Sequence, residues 1–166
     1  MSAAEAEFVQ LINKNRGILY KIARMYTDNL ADREDLVQEM LLHLWKSFAH
    51  FEGRSAFSTW MYRVALNTAI TFIRKEQKKP VMASDAEAAW QHIVEESSVG
   101  KEEKTELLYR AVQQLNNVEK ALIFYYLEGF PHREIGLQLG ITDNNARVKL
   151  NRTCTKLQGI INKMMA

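Results

Sequence analysis

The stretch "EIGLQLGITDNNARVKLNRTCTKL", residues 134–157, holds two short helical patterns on either side of Gly140, and the second ends in spaced cations. Projected at about 100° per residue, Ala146, Leu150, Cys154 and Leu157 form a narrow apolar stripe suited to a core. The opposite side presents Asn144, Asn145, Val148, Asn151, Arg152 and Thr155, flanked by Arg147, Lys149 and Lys156, and beyond Asp143 it carries no carboxylate. Upstream, Ile135 and Leu139 make a short apolar edge. Gly136 removes a side chain where two helices would cross closely, Gly140 makes the turn, and Thr142 can N-cap the next helix. This pattern predicts a helix-turn-helix. An ordinary α-hairpin with a solvated face usually mixes charge signs to gain i,i+4 pairs, whereas a face that enters a nucleic-acid groove must avoid repelling phosphates. The missing carboxylates favour DNA.

A second constellation lies in "SAFSTWMYRVALNTAITFIRKE", residues 55–76. One stripe collects Trp60, Arg63, Asn67, Thr71 and Arg74, and a separate, mainly apolar one collects Phe57, Met61, Val64, Ala65, Thr68 and Phe72. Cations, an amide, a hydroxyl and an indole in one line can contact phosphates, read base edges and stack on unpaired bases. A lone Trp is more often core, but its place beside Arg63 and Asn67 favours a stacking platform for Trp60. In "REDLVQEMLLHLW", residues 33–45, Leu36, Met40 and Leu44 overlap with Val37 and Leu41 in apolar rows, leaving Asp35, Gln38 and Glu39 on the polar side. Acidic residues face DNA only at a cost, so that side is either plain solvated surface or a docking face for a basic protein.

The rest of the chain frames these elements. Its 166 residues, 47% apolar, suffice for one domain or two small ones. Helical periodicity recurs over 6–26, 33–51, 55–79, 105–115 and 117–129, with breaks at 28–32, 52–55 and 129–131, and no alternating run argues for a sheet. The expectation is all-α. A net charge of +2 hides an uneven distribution: residues 1–80 carry 12 Lys/Arg and 9 Asp/Glu, residues 81–106 carry 2 and 7, and residues 107–166 carry 8 and 4. Two mildly basic modules, 1–80 and 107–166, are thus expected on either side of an acidic linker, 81–106, with a short helix possible at Trp90, Ile93 and Val94. The single cysteine, Cys154, excludes an internal disulfide and reads as packing. His43, His50, His92 and His132 are scattered without carboxylate partners, and no phosphate loop, metal motif or catalytic triad emerges. No enzyme and no cofactor is expected. No apolar run reaches the roughly 20 residues of a membrane span, and "MSAAEAEFVQ" is acidic where a signal peptide has cations, so membrane insertion is not expected and the cytoplasm is the expected compartment.

Together these pieces resemble the bacterial RNA polymerase sigma factors of the extracytoplasmic-function (ECF) group of the sigma-70 family. "DREDLVQEMLLHLWKSFAHF" looks like the core-binding part of region 2, "EGRSAFSTWMYRVALNTAITFIRKE" like its promoter-melting part, and "LNNVEKALIFYYLEGFPHREIGLQLGITDNNARVKLNRTCTKL" like region 4. The resemblance implies a region 2 bundle and a region 4 helix-turn-helix, and an initiation factor that directs core polymerase to promoters and aids strand opening. It places Asp35, Leu36, Gln38 and Glu39 against the β′ clamp helices, and residues around 122–127 on the β-flap. Phe51, Arg54, Ser55, Trp60, Arg63, Asn67 and Arg74 would meet minus-ten DNA. Asn144, Asn145, Arg147, Val148, Lys149, Arg152 and Lys156 would meet the minus-thirty-five duplex. Core polymerase, promoter DNA and an anti-sigma factor are the partners it implies. The chain departs from the family's pattern at Pro131, often a capping serine, at Asn144, commonly glycine, and at Val148, in place of a small hydroxyl residue. Met61 stands where primary sigma factors have a second tryptophan. The alternatives are a stand-alone helix-turn-helix regulator and a pure protein-interaction module, which would leave both cationic stripes unexplained.

Overall fold

The computed structural model describes residues 2–77 and 101–166, and every element among them is an α-helix. The chain divides into two compact units, Met1–His92 and Ile93–Ala166. Residues 81–100 of the expected linker, including the helix anticipated at Trp90–Val94, lie outside the described residues.

The N-terminal unit contains α1 (Ala3–Lys14), α2 (Arg16–Tyr26), α3 (Leu30–Phe48) and α4 (Phe57–Gln77). Ser2 and Glu5 form a reciprocal capping box that starts α1. The continuous periodicity over 6–26 predicts one helix, but the chain breaks at Asn15, which has φ −117° and ψ 15° and whose Nδ2 donates to the Leu11 carbonyl at 2.8 Å. An asparagine side chain bonded back to its own helix competes with the backbone ladder, and that ends α1. Asn29 caps α3 by accepting the Asp32 N–H at 2.8 Å. Leu36, Met40 and Leu44 on α3, Leu19 and Ile22 on α2, and Met61, Ala65 and Ala69 on α4 close the core where α2, α3 and α4 pack on one another. From α1 only Phe8 and Ile12 are buried.

The C-terminal unit contains α5 (Lys101–Gln113), α6 (Asn117–Leu127), α7 (His132–Leu139) and α8 (Asp143–Met165). Because α5 begins at Lys101, residues 101–106 of the stretch expected to be linker are helical. A second capping box, Asn116 with Glu119, starts α6. Gly129, with φ 84°, turns the chain after α6, and the Phe130 ring comes back onto Tyr125 at 5.1 Å. The long α8 packs against α5, α6 and α7.

Candidate nucleic-acid interface

The turn between α7 and α8 is built from local chemistry. Pro131, with φ −70°, precedes α7 without a side-chain cap. Gly140 ends α7 in the left-handed region at φ 72°, and Ile141 N–H donates to the Gly136 carbonyl at 2.9 Å. A Cβ at Gly136 would stand 2.7 Å from the Ile141 oxygen. The close approach there is thus to the turn's backbone and not, as expected, between helix sides. Thr142 then caps α8 by accepting the Asn145 N–H at 3.1 Å.

On α8 the inward row is Ala146, Leu150, Thr153 and Leu157. Cys154, expected in that row, is half-buried on its flank, and burial pushes its thiol up from the usual value. Thr153 can replace it because its Oγ1 donates to the Lys149 carbonyl at 2.8 Å, which satisfies the hydroxyl in the core. Asn144, Asn145, Arg147, Lys149, Asn151 and Arg152 are exposed, and Val148 is half-buried. Arg147 Nη2 donates to Asn144 Oδ1 at 2.7 Å, so two members of the outward set hold each other. Lys156 stands apart: its Nζ lies 2.9 Å from Glu119 Oε1 on α6. Burial alone would raise the Glu119 carboxyl's pKa, but the Asn116 backbone N–H and Lys156 outweigh it and hold the carboxyl below its ordinary value.

In the N-terminal unit Arg63, Asn67, Thr71 and Arg74 are exposed along α4, as their stripe predicts, while Trp60 is half-buried. Met61 is fully buried and offers no stacking surface. In the loop after α3, Arg54 and Ser55 are exposed, and Arg54 Nε pairs with Glu52 Oε2 at 2.9 Å. Phe51 and Trp60, 5.1 Å apart, join a cluster with Phe48 and Phe57, which continues to Trp45 on α3 and Phe8 on α1. The helical stripes do not show this cluster, because it joins α1, α3, the loop and α4. Its signal was an aromatic at every third position, 45, 48 and 51, then 57 and 60.

The polar side of α3 exposes Asp35, Gln38 and Glu39, but Leu36 is fully buried, so the expectation that it makes an outward contact is corrected: its row with Met40 and Leu44 is core. Asp35, Gln38 and Glu39 face Asn67 and Thr71 of α4 across a groove of about 500 Å³, which joins residues the sequence assigns to two separate faces. His43 Nε2 lies 3.6 Å from Glu39 Oε2, the i,i+4 carboxylate overlooked in the sequence. On α6, Leu122 to Tyr125 are buried, and only Tyr126 and Leu127 of the span expected on the β-flap are exposed. Among the described residues no group of His, Cys, Asp and Glu could hold a metal ion, and no helix is long and apolar enough to cross a membrane.

Two family models match, Sigma-70 region 2 over residues 11–79 and Sigma-70, region 4 over residues 105–157. The chain belongs to the sigma-70 family. Several of its relatives there are named ECF sigma factors. The ECF RNA polymerase sigma-E factor of Haemophilus influenzae is 25% identical over 158 residues, covering 87% of this chain and 84% of that one. The ECF RNA polymerase sigma factor SigG of Mycobacterium tuberculosis is 42% identical over 66 residues, 40% of this chain, and the chain spans only 18% of that relative's length. The fold is similar to that of the sigma factor RpoE of Bartonella quintana, solved with the anti-sigma factor NepR, at a TM-score of 0.66 and 17% identity over 95% of this chain and 96% of that one. The sigma-70 region 4 match contains the α7–turn–α8 unit through Leu157, and the region 2 match contains the rings from Trp45 to Trp60.

Proposed function

We propose that this chain is a transcription initiation factor that binds core RNA polymerase, directs it to specific promoters and aids strand opening, with no catalysis of its own. The observation that carries it is the pairing, in one chain, of an exposed cationic helix-turn-helix face with a unit whose Arg63, Asn67 and Arg74 line the same helix as a ring cluster. Residues 1–80 would bind core enzyme and the minus-ten element, and residues 107–166 the minus-thirty-five duplex, with 81–106 as the acidic connection. Asp35, Gln38 and Glu39 suit the polymerase because their carboxylates would repel a DNA backbone. Phe51 and Trp60, with Arg54 and Ser55 in the adjoining loop and Arg63, Asn67 and Arg74 further along α4, suit an unpaired strand. Asn144, Asn145, Val148, Lys149 and Arg152, with Arg147, suit a groove, since amides and apolar groups read base edges while cations meet phosphates. Tyr126 and Leu127 offer an apolar contact for the β-flap. The solved complex of RpoE with NepR supports an anti-sigma factor as a further partner. The cytoplasm, where polymerase works, is the proposed compartment.

A stand-alone helix-turn-helix regulator is the weaker reading, because it leaves the region 2 match over residues 11–79 without a role. Co-purification separates the two: a sigma factor binds core polymerase stoichiometrically without DNA, and an operator-binding dimer need not. Run-off transcription with core enzyme on genomic fragments is the decisive test. Failure to bind core polymerase overturns the proposal.

A further inference from the structure

Phe48, the last residue of α3, is touched by five rings: Phe8 at 5.2 Å, Trp45 at 6.4 Å, and Phe51, Phe57 and Trp60 each at 6.3 Å between centroids. These five divide into two groups by their contacts with one another: Phe51, Phe57 and Trp60 touch one another, and Phe8 touches Trp45. Phe51 and Trp60 are the rings assigned above to unpaired DNA. Phe8 and Trp45 lie behind Phe48, and Phe8, only 8% exposed, comes from α1. Most of α1 precedes residue 11, where the region 2 match begins. Along the loop 49–56 every residue except Phe51 is exposed. The loop carries the ion pair of Glu52 and Arg54, but both side chains are mostly in solvent, so it adds little rigidity. The loop is held at its start by backbone bonds from His50 N–H to the Ser47 carbonyl and from Phe51 N–H to the Phe48 carbonyl, and the one side chain that anchors it in the unit is the Phe51 ring against Phe48, Phe57 and Trp60.

A ring set between others loses contacts on both sides when it turns, and since Phe48 is half-buried and Trp45 is exposed, the buried Phe8 is the rear neighbour with the least freedom of its own. With Phe8 removed, Phe48 loses one of its two rear neighbours and gains room to turn away from Phe51 and Trp60. We infer that Phe8 of α1, acting through Phe48, is a positioning residue for the strand-opening element, so that the N-terminal helix sets how readily this chain opens a promoter. The inference rests on the sigma-factor reading above. It gives α1 a task that its two buried residues, Phe8 and Ile12, do not suggest by packing alone. Positioning matters most when the strands must be separated. A template already open over the minus-ten element presents its bases without that step, and tolerates a looser platform.

The test uses the full-length chain with core polymerase, and compares the rate of open-complex formation on a duplex promoter with transcription from the same promoter pre-opened over the minus-ten element. Aromatic pairs contribute enough beyond simple burial to predict that Phe8→Ala slows opening of the duplex by about 2- to 10-fold. The pre-opened template should restore activity to within about twofold of wild type, with core binding unchanged. Phe8→Leu refills most of the apolar volume without the ring, and should show a smaller loss of the same duplex-selective kind. If Phe8→Ala does not fold, Phe8→Leu decides alone. Equal losses on both templates, or wild-type rates on both in the variants that fold, overturn the inference while leaving the sigma-factor reading intact. A wild-type chain that directs transcription from neither template overturns that reading and this one with it.

Discussion

On α8 the side chains that pack and those offered to DNA are nearly separate sets: Ala146, Leu150, Thr153 and Leu157 point inward, Asn144, Asn145, Lys149 and Arg152 face solvent, and only Val148 is half-buried between them. In the N-terminal unit Phe51 and Trp60 do both, because each half-buried ring is part of the cluster around Phe48 and is also a candidate platform for a base. The difference follows from the ligand. A duplex is read by side chains reaching into a groove from a rigid rod, which can be supported entirely from the other side. An unpaired base is read by stacking, which needs a ring face, and rings are held still by other rings. Substitutions on α8 should therefore separate binding from stability, and those in the ring cluster should not.

Leu36 gives the largest expected effect, and it sharpens this contrast within one helix. Flanked by the exposed Asp35 and fully buried itself, it should cost roughly 2–5 kcal/mol as Leu36→Ala, whereas Asp35→Ala should change stability by no more than about 0.5 kcal/mol. Urea unfolding measures both, and binding to core polymerase should then weaken in Asp35→Ala without any fall in stability. A Leu36→Ala variant as stable as wild type would show that α3 does not pack as described.

Next comes Gly136, where the C-terminal unit is least forgiving. A methyl there would sit 2.7 Å from the Ile141 oxygen and 3.3 Å from Thr142 backbone atoms, and that backbone is already bonded to Gly136 itself. Overpacking of this kind costs about 1–3 kcal/mol. Gly136→Ala should lower the melting temperature and weaken minus-thirty-five binding together, although it touches no DNA-facing residue. Weaker DNA binding at an unchanged melting temperature would mean that the turn moves rather than strains.

How much of this was legible in the sequence depends on how far apart the interacting residues lie. The helix-turn-helix was legible because Gly140, Thr142 and the 3.6-residue period are local signals, and the exposed stripe of α4 followed from the same period. The exchange of Thr153 for Cys154 was not, since apolarity alone ranks the thiol ahead of a hydroxyl that can satisfy itself on the preceding turn. Leu36 was misplaced by its exposed neighbours in a motif, against the spacing that put it in a row with Met40 and Leu44. The break at Asn15 hid inside continuous periodicity. The bond between Lys156 and Glu119 joins residues 37 apart, and no local pattern announces it.

Glu119 ranks third in size. Its folded-state pKa is lowered, so the stability it contributes is present above the unfolded value, near the ordinary 4.5, and is lost as pH falls through the lower folded value. Glu119→Gln keeps an acceptor for the Asn116 N–H but removes the charge. Because the Lys156 side chain is half exposed, the loss at neutral pH should be only about 0.2–1 kcal/mol. Unfolding measured from pH 7 downward should show wild type and variant converging in stability as the pH drops below about 4.5. Parallel curves over that range would show that the carboxylate is not tied in the folded unit.

The smallest expected effect is the one that most directly tests the separation of faces on α8. By sequence Lys156 is a phosphate contact, and losing one such contact lowers the salt slope of binding by about 0.9. In the structure its ammonium is committed to Glu119 at 2.9 Å. It also lies about 18 Å further along the helix axis than Asn144, at 1.5 Å per residue, where α8 has left the end that meets base edges. Lys156→Met should thus leave the salt slope of holoenzyme binding to the minus-thirty-five element unchanged within about 0.3 of a unit, while Arg152→Ala lowers it by about 0.9. The measurement is promoter affinity for both variants across a series of salt concentrations. If Lys156→Met lowers the slope as much as Arg152→Ala does, the lysine leaves Glu119 to meet a phosphate, and packing and reading on α8 are not separate after all.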